Sequence, residues 1–268
     1  MKIFFWFCVL FLSIECSFGN SSLPIKSPDN IYSEHWWGKL PFRDKRDVLL
    51  IHDIFVISFN LDKKFPAWTA YKLSPFTVWG QLKAERKYRE DPLLSSGSSL
   101  VYRDWKGASN CDGANKLGYD KAHLAPLGSF KSSLSAYQAQ YLTNIVPQRR
   151  NLNQGPWRLL EEKVRAFVKK GHEVKILTGP LYLKKTPPCW KAVQGKITQV
   201  PSHYWKLIAF KEKSKIKVCS VLMPQDISHR KDKPLKYKSS LKQLESALGF
   251  NLLVKDRKFL KEDCRFLF

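Results

Sequence analysis

The chain has 268 residues, 44% of them hydrophobic, and carries 46 Lys and Arg against 23 Asp and Glu, a formal net charge of +23. Such a chain can bury a full core, its length suits one large domain better than two small ones, and beyond the N terminus no stretch approaches the length of a membrane-spanning helix, which excludes a bundle of such helices. The charge points to a polyanionic partner: nucleic acid first, with an acidic membrane or a glycan as alternatives that fit the charge alone.

Residues 1–19 read as a signal peptide, with one positive charge at Lys2, an apolar run from Ile3 to Ile14, and the small residues Ser17 and Gly19 before the cut. The run is short for a spanning helix, so the expectation is a secreted product, extracellular or periplasmic, without stable membrane association; an uncleaved anchor is the weaker alternative. Residues 20–47, with Pro24, Pro28 and Pro41, read as an irregular lead-in to a domain over 48–268. Cleavage removes Cys8 and Cys16 and leaves Cys111, Cys189, Cys219 and Cys264, which predicts two disulfides in an oxidising compartment; three pairings are open. No two of the four stand at zinc-ligand spacing.

Strands are predicted over Leu49–Asn60 and Ala67–Leu73, which are apolar, aromatic and β-branched, with a hairpin turn over Leu61–Pro66. A short strand is expected around Asp120–His123, and longer ones over Val174–Thr178, His203–Phe210 and Val218–Met223. Trp157, Leu160, Val164 and Phe167 recur at helical spacing and predict a helix from about Gly155 to Lys170, with Pro156 in its first turn and Gly171 as its stop. A second helix is expected over Leu241–Leu248, ended by Gly249. Hairpins mixed with helices, without a βαβ rhythm, predict an α+β fold.

Asn153, Trp157, Glu161 and Arg165 are spaced by four and form one stripe on the first helix. Trp157 is expected to serve the core, while the other three put an amide oxygen, a carboxylate and a guanidinium in a row that can hold a hydrated cation beside a phosphate. The competing reading is an amphipathic helix with an Asn cap and a Glu/Arg pair one turn apart.

Upstream, Tyr119–Pro126 reads YDKAHLAP and Tyr141–Glu161 reads YLTNIVPQRRNLNQGPWRLLE, with nine residues from Asn144 to Asn153 and eight from Asn153 to Glu161. Both blocks resemble the DNA/RNA non-specific endonucleases of the ββα-metal (His-Me finger) type, and the likeness extends to FPAWTAYKLSP at 65–75, ERKYREDP at 85–92, LTGPLY at 177–182 and VPSHYWKLI at 200–208. The resemblance implies a central antiparallel sheet flanked by helices, with His123 as general base and Asn153 as the protein ligand of a catalytic Mg²⁺, or Mn²⁺. It further implies that Glu161 holds a water of that ion, that Asn144 orients the segment bearing His123, and that Arg86 and Arg165 neutralise the scissile phosphate. The implied activity is hydrolysis of DNA and RNA without sequence specificity, leaving 5′ phosphates.

Two residues depart from the family motif: Lys121 stands where Arg is usual, and Ala122 where Gly is. Lys keeps the charge and loses the planar fork. If the backbone at 122 took positive φ, Ala would cost about 1 to 2 kcal/mol. The alternative function is a catalytically weak or silent nucleic-acid-binding protein on the same scaffold. From the charge, affinity for DNA is expected to fall steeply with salt and to be alike for unrelated sequences; at six to ten phosphate contacts the drop between roughly 50 and 200 mM salt is about 10³- to 10⁵-fold. A salt titration followed by anisotropy that stays flat contradicts this.

Overall fold

Seven strands form the path of the main sheet in the order β1-β2-β3-β6-β7-β8-β10: β1 (Asp47–Ile51), β2 (Val56–Asn60), β3 (Phe65–Leu73), β6 (Val174–Leu181), β7 (His203–Glu212), β8 (Lys215–Pro224) and β10 (Leu260–Glu262). The two-residue β9 (Lys238–Ser239) pairs with β8 off that path. Every pairing is antiparallel except β10 with β8. A separate two-stranded ladder joins β4 (Tyr119–His123) to β5 (Ile145–Arg149). The helices are α1 (Pro75–Val78), α2 (Arg150–Leu152), α3 (Arg158–Lys169) and α4 (Leu241–Leu248). The computed structural model describes residues 34–36, 44–82, 85–105, 119–183, 200–252 and 260–268. The expected signal peptide, Cys111 and Cys189 lie outside them.

Both faces of the sheet are covered, and side-chain alternation decides which residue serves which face. On β7, Tyr204, Ile208 and Phe210 join a core shared with Ala122 of β4, Val146 of β5 and Trp157, Leu160, Val164 and Phe167 beneath α3. Trp205, Leu207 and Ala209 join the opposite core with Leu241 and Leu244 of α4. A strand buried on both sides reads as a continuous apolar run, which is why HYWKLIAF was legible as a strand and its two faces were not.

The expectations for β6, β7, β8 and α4 hold, each strand running further than predicted. Ser240 and Gln243 exchange hydrogen bonds at the start of α4, and Gly249 ends it at φ 76°. Three expectations change. The strand predicted over Leu49–Asn60 is two, because the chain turns at His52–Phe55, where His52 N donates to Phe55 O at 2.9 Å and Asp53 N donates to Gln138 Oε1 at 3.1 Å. The lead-in contributes to the core, since Trp36 is fully buried in the α4-side cluster. Strand β5 was not foreseen, because Pro147 within it counts against a strand; its carbonyl is used, accepting from Tyr204 Oη and from Gln225 Nε2.

Cys219 on β8 is bonded to Cys264 near the C terminus, across a sequence separation of 45. Beside it, Phe266 packs on Phe167 and Phe210 with ring centroids at 5.0 and 4.6 Å, so the C terminus closes the end of α3. Replacing both cysteines by serine is expected to lower the unfolding free energy by about 2 to 5 kcal/mol through the freed unfolded chain. Urea denaturation reads this, and an unchanged transition midpoint refutes it.

Candidate active site

His123 ends β4 and pairs in register with Ile145, the first residue of β5. The 21 residues between the two strands return to the ladder through Asn144, which is fully buried. Asn144 Oδ1 accepts from Ala125 N at 2.9 Å, and its Nδ2 donates to Ala125 O and Ala139 O at 2.9 and 3.0 Å. Its backbone carbonyl accepts from Leu124 N at 3.0 Å. Asn144 therefore clamps the segment that follows His123.

The chain leaves β5 through α2 and enters α3 by an irregular turn over Asn153–Trp157, in which Gly155 takes φ −108° and ψ −121°. Gly is required there because a Cβ would stand 2.6 Å from the carbonyl oxygen of Arg230. Asn153 does not act as a cap: its backbone is already helical at φ −59° and ψ −47°, and its Nδ2 donates to Asp120 Oδ2 at 3.0 Å. Gln154 Nε2 donates to the same oxygen at 2.9 Å, and Arg150 Nε lies 3.4 Å from Asp120 Oδ1. Trp157 is buried against Tyr204, as expected of a core residue.

A cavity of about 720 Å³ opens between these elements, and its wall includes Arg86, Tyr88, His123, Gln140, Asn153, Arg158, Glu161 and Arg165. Five of the seven predicted site residues meet there: His123, Asn153, Glu161, Arg86 and Arg165. Asn144 lies behind the wall. Lys121 is turned along the strand face toward Tyr88 and Tyr102, with its ammonium 5.6 and 5.2 Å from their ring centroids. Tyr88 stacks between Tyr102 and His123, at 6.1 and 6.0 Å, and its hydroxyl donates to Lys121 O. Ala122 is buried in β4 opposite Val146. Lys64 and Lys213 are the non-glycine residues with positive φ among those described, so the strain foreseen at Ala122 does not arise.

His123 Nε2 stands 3.0 Å from Gln140 Oε1, while Gln140 Nε2 donates to Glu85 O at 3.4 Å. This places the imidazole hydrogen on Nε2 and leaves the Nδ1 lone pair available. Burial, helped by the charge of Arg86 and opposed by Gln140, lowers the His123 pKa and keeps the ring neutral. Burial raises the pKa of Glu161, against the opposing pull of Lys206 and Arg165. Lys206 Nζ lies 3.5 Å from Glu161 Oε1 and 4.3 Å from the Trp157 ring centroid, and burial lowers its own pKa.

Sequence reasoning missed Gln140, Asp120 and Lys206. Lys206 had one signal, a lysine inside an otherwise apolar strand, but strand parity does not say which face meets a helix. Among the described residues no three His, Cys, Asp or Glu side chains converge. Apart from Gln140 Oε1 and Tyr88 Oη, which face His123 and Lys121 O, the side-chain oxygens on the wall are the Asn153 carboxamide, whose Nδ2 is committed to Asp120, and the Glu161 carboxylate. One neutral and one anionic oxygen suit a cation that keeps most of its water, as Mg²⁺ does.

The sequence profile described as DNA/RNA non-specific endonuclease matches residues 40–257. The nuclease of Serratia marcescens is 31% identical over 173 residues, covering 63% of this chain and 60% of that one. The mitochondrial nuclease of Saccharomyces cerevisiae is 28% identical over 229 residues, covering 76% and 67%. Among solved structures, one titled as the crystal structure of the EndoG/EndoGI complex aligns at a TM-score of 0.71 with 20% identity, over 88% of this chain and 96% of that one, and supports the α+β fold of a central antiparallel sheet with flanking helices.

The buried Lys206 and the half-buried Glu161 balance each other, so removing the carboxylate or the ammonium alone leaves its partner's charge poorly compensated. Lys206→Met is expected to cost about 3 to 5 kcal/mol of stability, and the double replacement with Glu161→Gln to recover a large part of it. Urea denaturation of both variants checks this; equal losses contradict the coupling.

Proposed function

This chain belongs to the DNA/RNA non-specific endonuclease family, and from that premise we propose that it is a divalent-metal-dependent endonuclease that hydrolyses DNA and RNA without sequence specificity, with His123 as its general base. The observation that carries the proposal is the half-buried His123, held by Gln140 on a cavity wall shared with Asn153, Glu161, Arg86 and Arg165. Nδ1 of the neutral ring takes the proton of the attacking water, and its Nε2 hydrogen stays on Gln140 Oε1, so the imidazolium that forms remains oriented. Asn144 keeps the segment after His123 in place during the transfer. Arg86 and Arg165 sit where a scissile phosphate would enter and offset the negative charge that grows on it.

Asn153 Oδ1 and the Glu161 carboxylate would hold Mg²⁺ or Mn²⁺, the amide directly and the carboxylate through water; bound there, the ion supplies charge neutralisation at the phosphate and at the leaving 3′ oxygen. The products would carry 5′ phosphates. Asp120 has a part in this arrangement, because holding Nδ2 leaves Oδ1 as the ligating atom of Asn153. Lys121 would act near the strand's outer phosphates, beside the tyrosines. The site residues are those the resemblance implies, carried on the domain over 48–268 read from the strand pattern. Export, as the leader suggests, is supported by the Cys219–Cys264 bond, since disulfides persist in oxidising compartments.

A plasmid-nicking assay with Mg²⁺ and with EDTA, repeated on RNA, tests the reading in wild type, His123→Ala, Asn153→Ala and Asn153→Asp. His123→Ala is expected to lose about 10²-fold or more in rate while binding DNA as before. Asn153→Ala is expected to lose activity while folded, and Asn153→Asp to shift the metal dependence. The acid limb of kcat/KM is expected below pH of about 6.5, the ordinary histidine value, because burial lowers the His123 pKa. No nicking by folded wild type would leave the silent binding reading standing, and normal turnover by His123→Ala would remove the base.

A further inference from the structure

The row of four-spaced residues on α3 does not end at Arg165. One turn on, about 6 Å along the axis, stands Lys169, and its ammonium lies 5.6 Å from the centroid of the Trp79 ring. Trp79 follows α1 and is 63% exposed, with Phe76 at 76% and Leu82 at 47% on the same short segment. The C-terminal end of this segment reaches the cavity. Leu82 and Lys131 line it, and Leu82 N donates to Lys131 O at 2.9 Å, which docks the segment onto the cavity rim. Inside the segment Gly80 permits that approach, since a Cβ would meet the Lys131 carbonyl at 2.1 Å.

We propose that Trp79, with Lys169 over one face of its ring, offers its other face as a stacking platform for an unpaired base of the substrate strand, and that it makes this nuclease favour single-stranded over duplex nucleic acid. The inference rests on the nuclease reading and adds a strand preference to it. Arg165 lies on the cavity wall and Lys169 one turn outward, so a strand whose phosphates follow those two cations carries its bases past the exposed indole. An aromatic face accepts any base without reading its edge, in keeping with non-specific cleavage. In a duplex the base faces are already stacked on each other, and the platform offers them nothing. A surface of cations around an exposed aromatic fits a polyanion with open π-faces better than an apolar protein partner.

The test uses the full chain in a His123→Ala background, so that substrate survives while binding is measured. Fluorescein-labelled single-stranded and duplex oligonucleotides of the same sequence are titrated, by anisotropy, with Trp79 intact, Trp79→Ala and Trp79→Phe. Trp79→Ala is expected to weaken single-strand binding roughly 10- to 100-fold with much less effect on duplex, and Trp79→Phe to keep most of the affinity. An unchanged single-strand affinity, or an equal loss on both substrates, overturns the inference, as does a change of sedimentation state in Trp79→Ala, which would make the patch a protein interface. The two readings fail separately: folded wild type that nicks no nucleic acid sinks the nuclease, whereas nicking together with an unaltered Trp79→Ala sinks the platform alone.

Discussion

The carboxylate of Asp120 joins the two halves of the site. It belongs to the strand that ends in His123, and it receives both the Asn153 and the Gln154 amide from the turn that opens α3. Strand and helix have separate reasons to lie where they do: β4 pairs with β5, and α3 buries Leu160, Val164 and Phe167 on the sheet. Neither packing sets their mutual distance to within a hydrogen bond. The short polar contact does so, and a donor and an acceptor at about 3 Å tolerate far less displacement than two apolar surfaces. Asn144 performs the matching task on the other side, tying the loop after His123 to the start of β5.

Burial acts on three ionisable groups on and beneath the cavity wall in one direction, toward neutrality. It lowers His123 and Lys206 and raises Glu161. For a base that direction is useful, because a neutral imidazole is the form that accepts a proton. For Glu161 it is not, and the structure answers with Lys206 beneath it and Arg165 one helical turn away. Such compensation needs the lysine to be itself buried, since an exposed ammonium would be screened by water.

The same row of α3 residues changes character along its length. It carries the Glu161 carboxylate near its N-terminal end and a guanidinium at Arg165, and at Lys169 it meets an exposed indole. A step of four residues drifts slowly around the helix, so one face can serve a metal, a phosphate and a base in succession. Around it, a net charge of +23 supplies attraction without direction. Direction comes from the turn at Gly155, which leads into the row and which only glycine fits, because the Arg230 carbonyl leaves no room for a Cβ.

Much of this was legible in the residues. Helix α3 announced itself through Trp157, Leu160, Val164 and Phe167, because a helix that must bury one face repeats its apolar residues at the period of its own backbone. Strands β6, β7 and β8 did so through β-branched runs, and α4 through its terminal glycine. The spacing of Asn144, Asn153 and Glu161 pointed to a candidate site through its resemblance to the endonuclease family, not through any geometry the residues state by themselves. Other features had no local cause to be read. That Leu49–Asn60 makes two strands depends on a turn held by Gln138, 85 residues from Asp53. That Ala122 is unstrained depends on the pairing of β4 with β5, and that Lys206 underlies Glu161 depends on which face of β7 receives α3. Periodicity is a property of one element, and the sequence alone determines it; which faces meet, and which carboxylate finds which amide, are decided only when elements distant in the chain pack together.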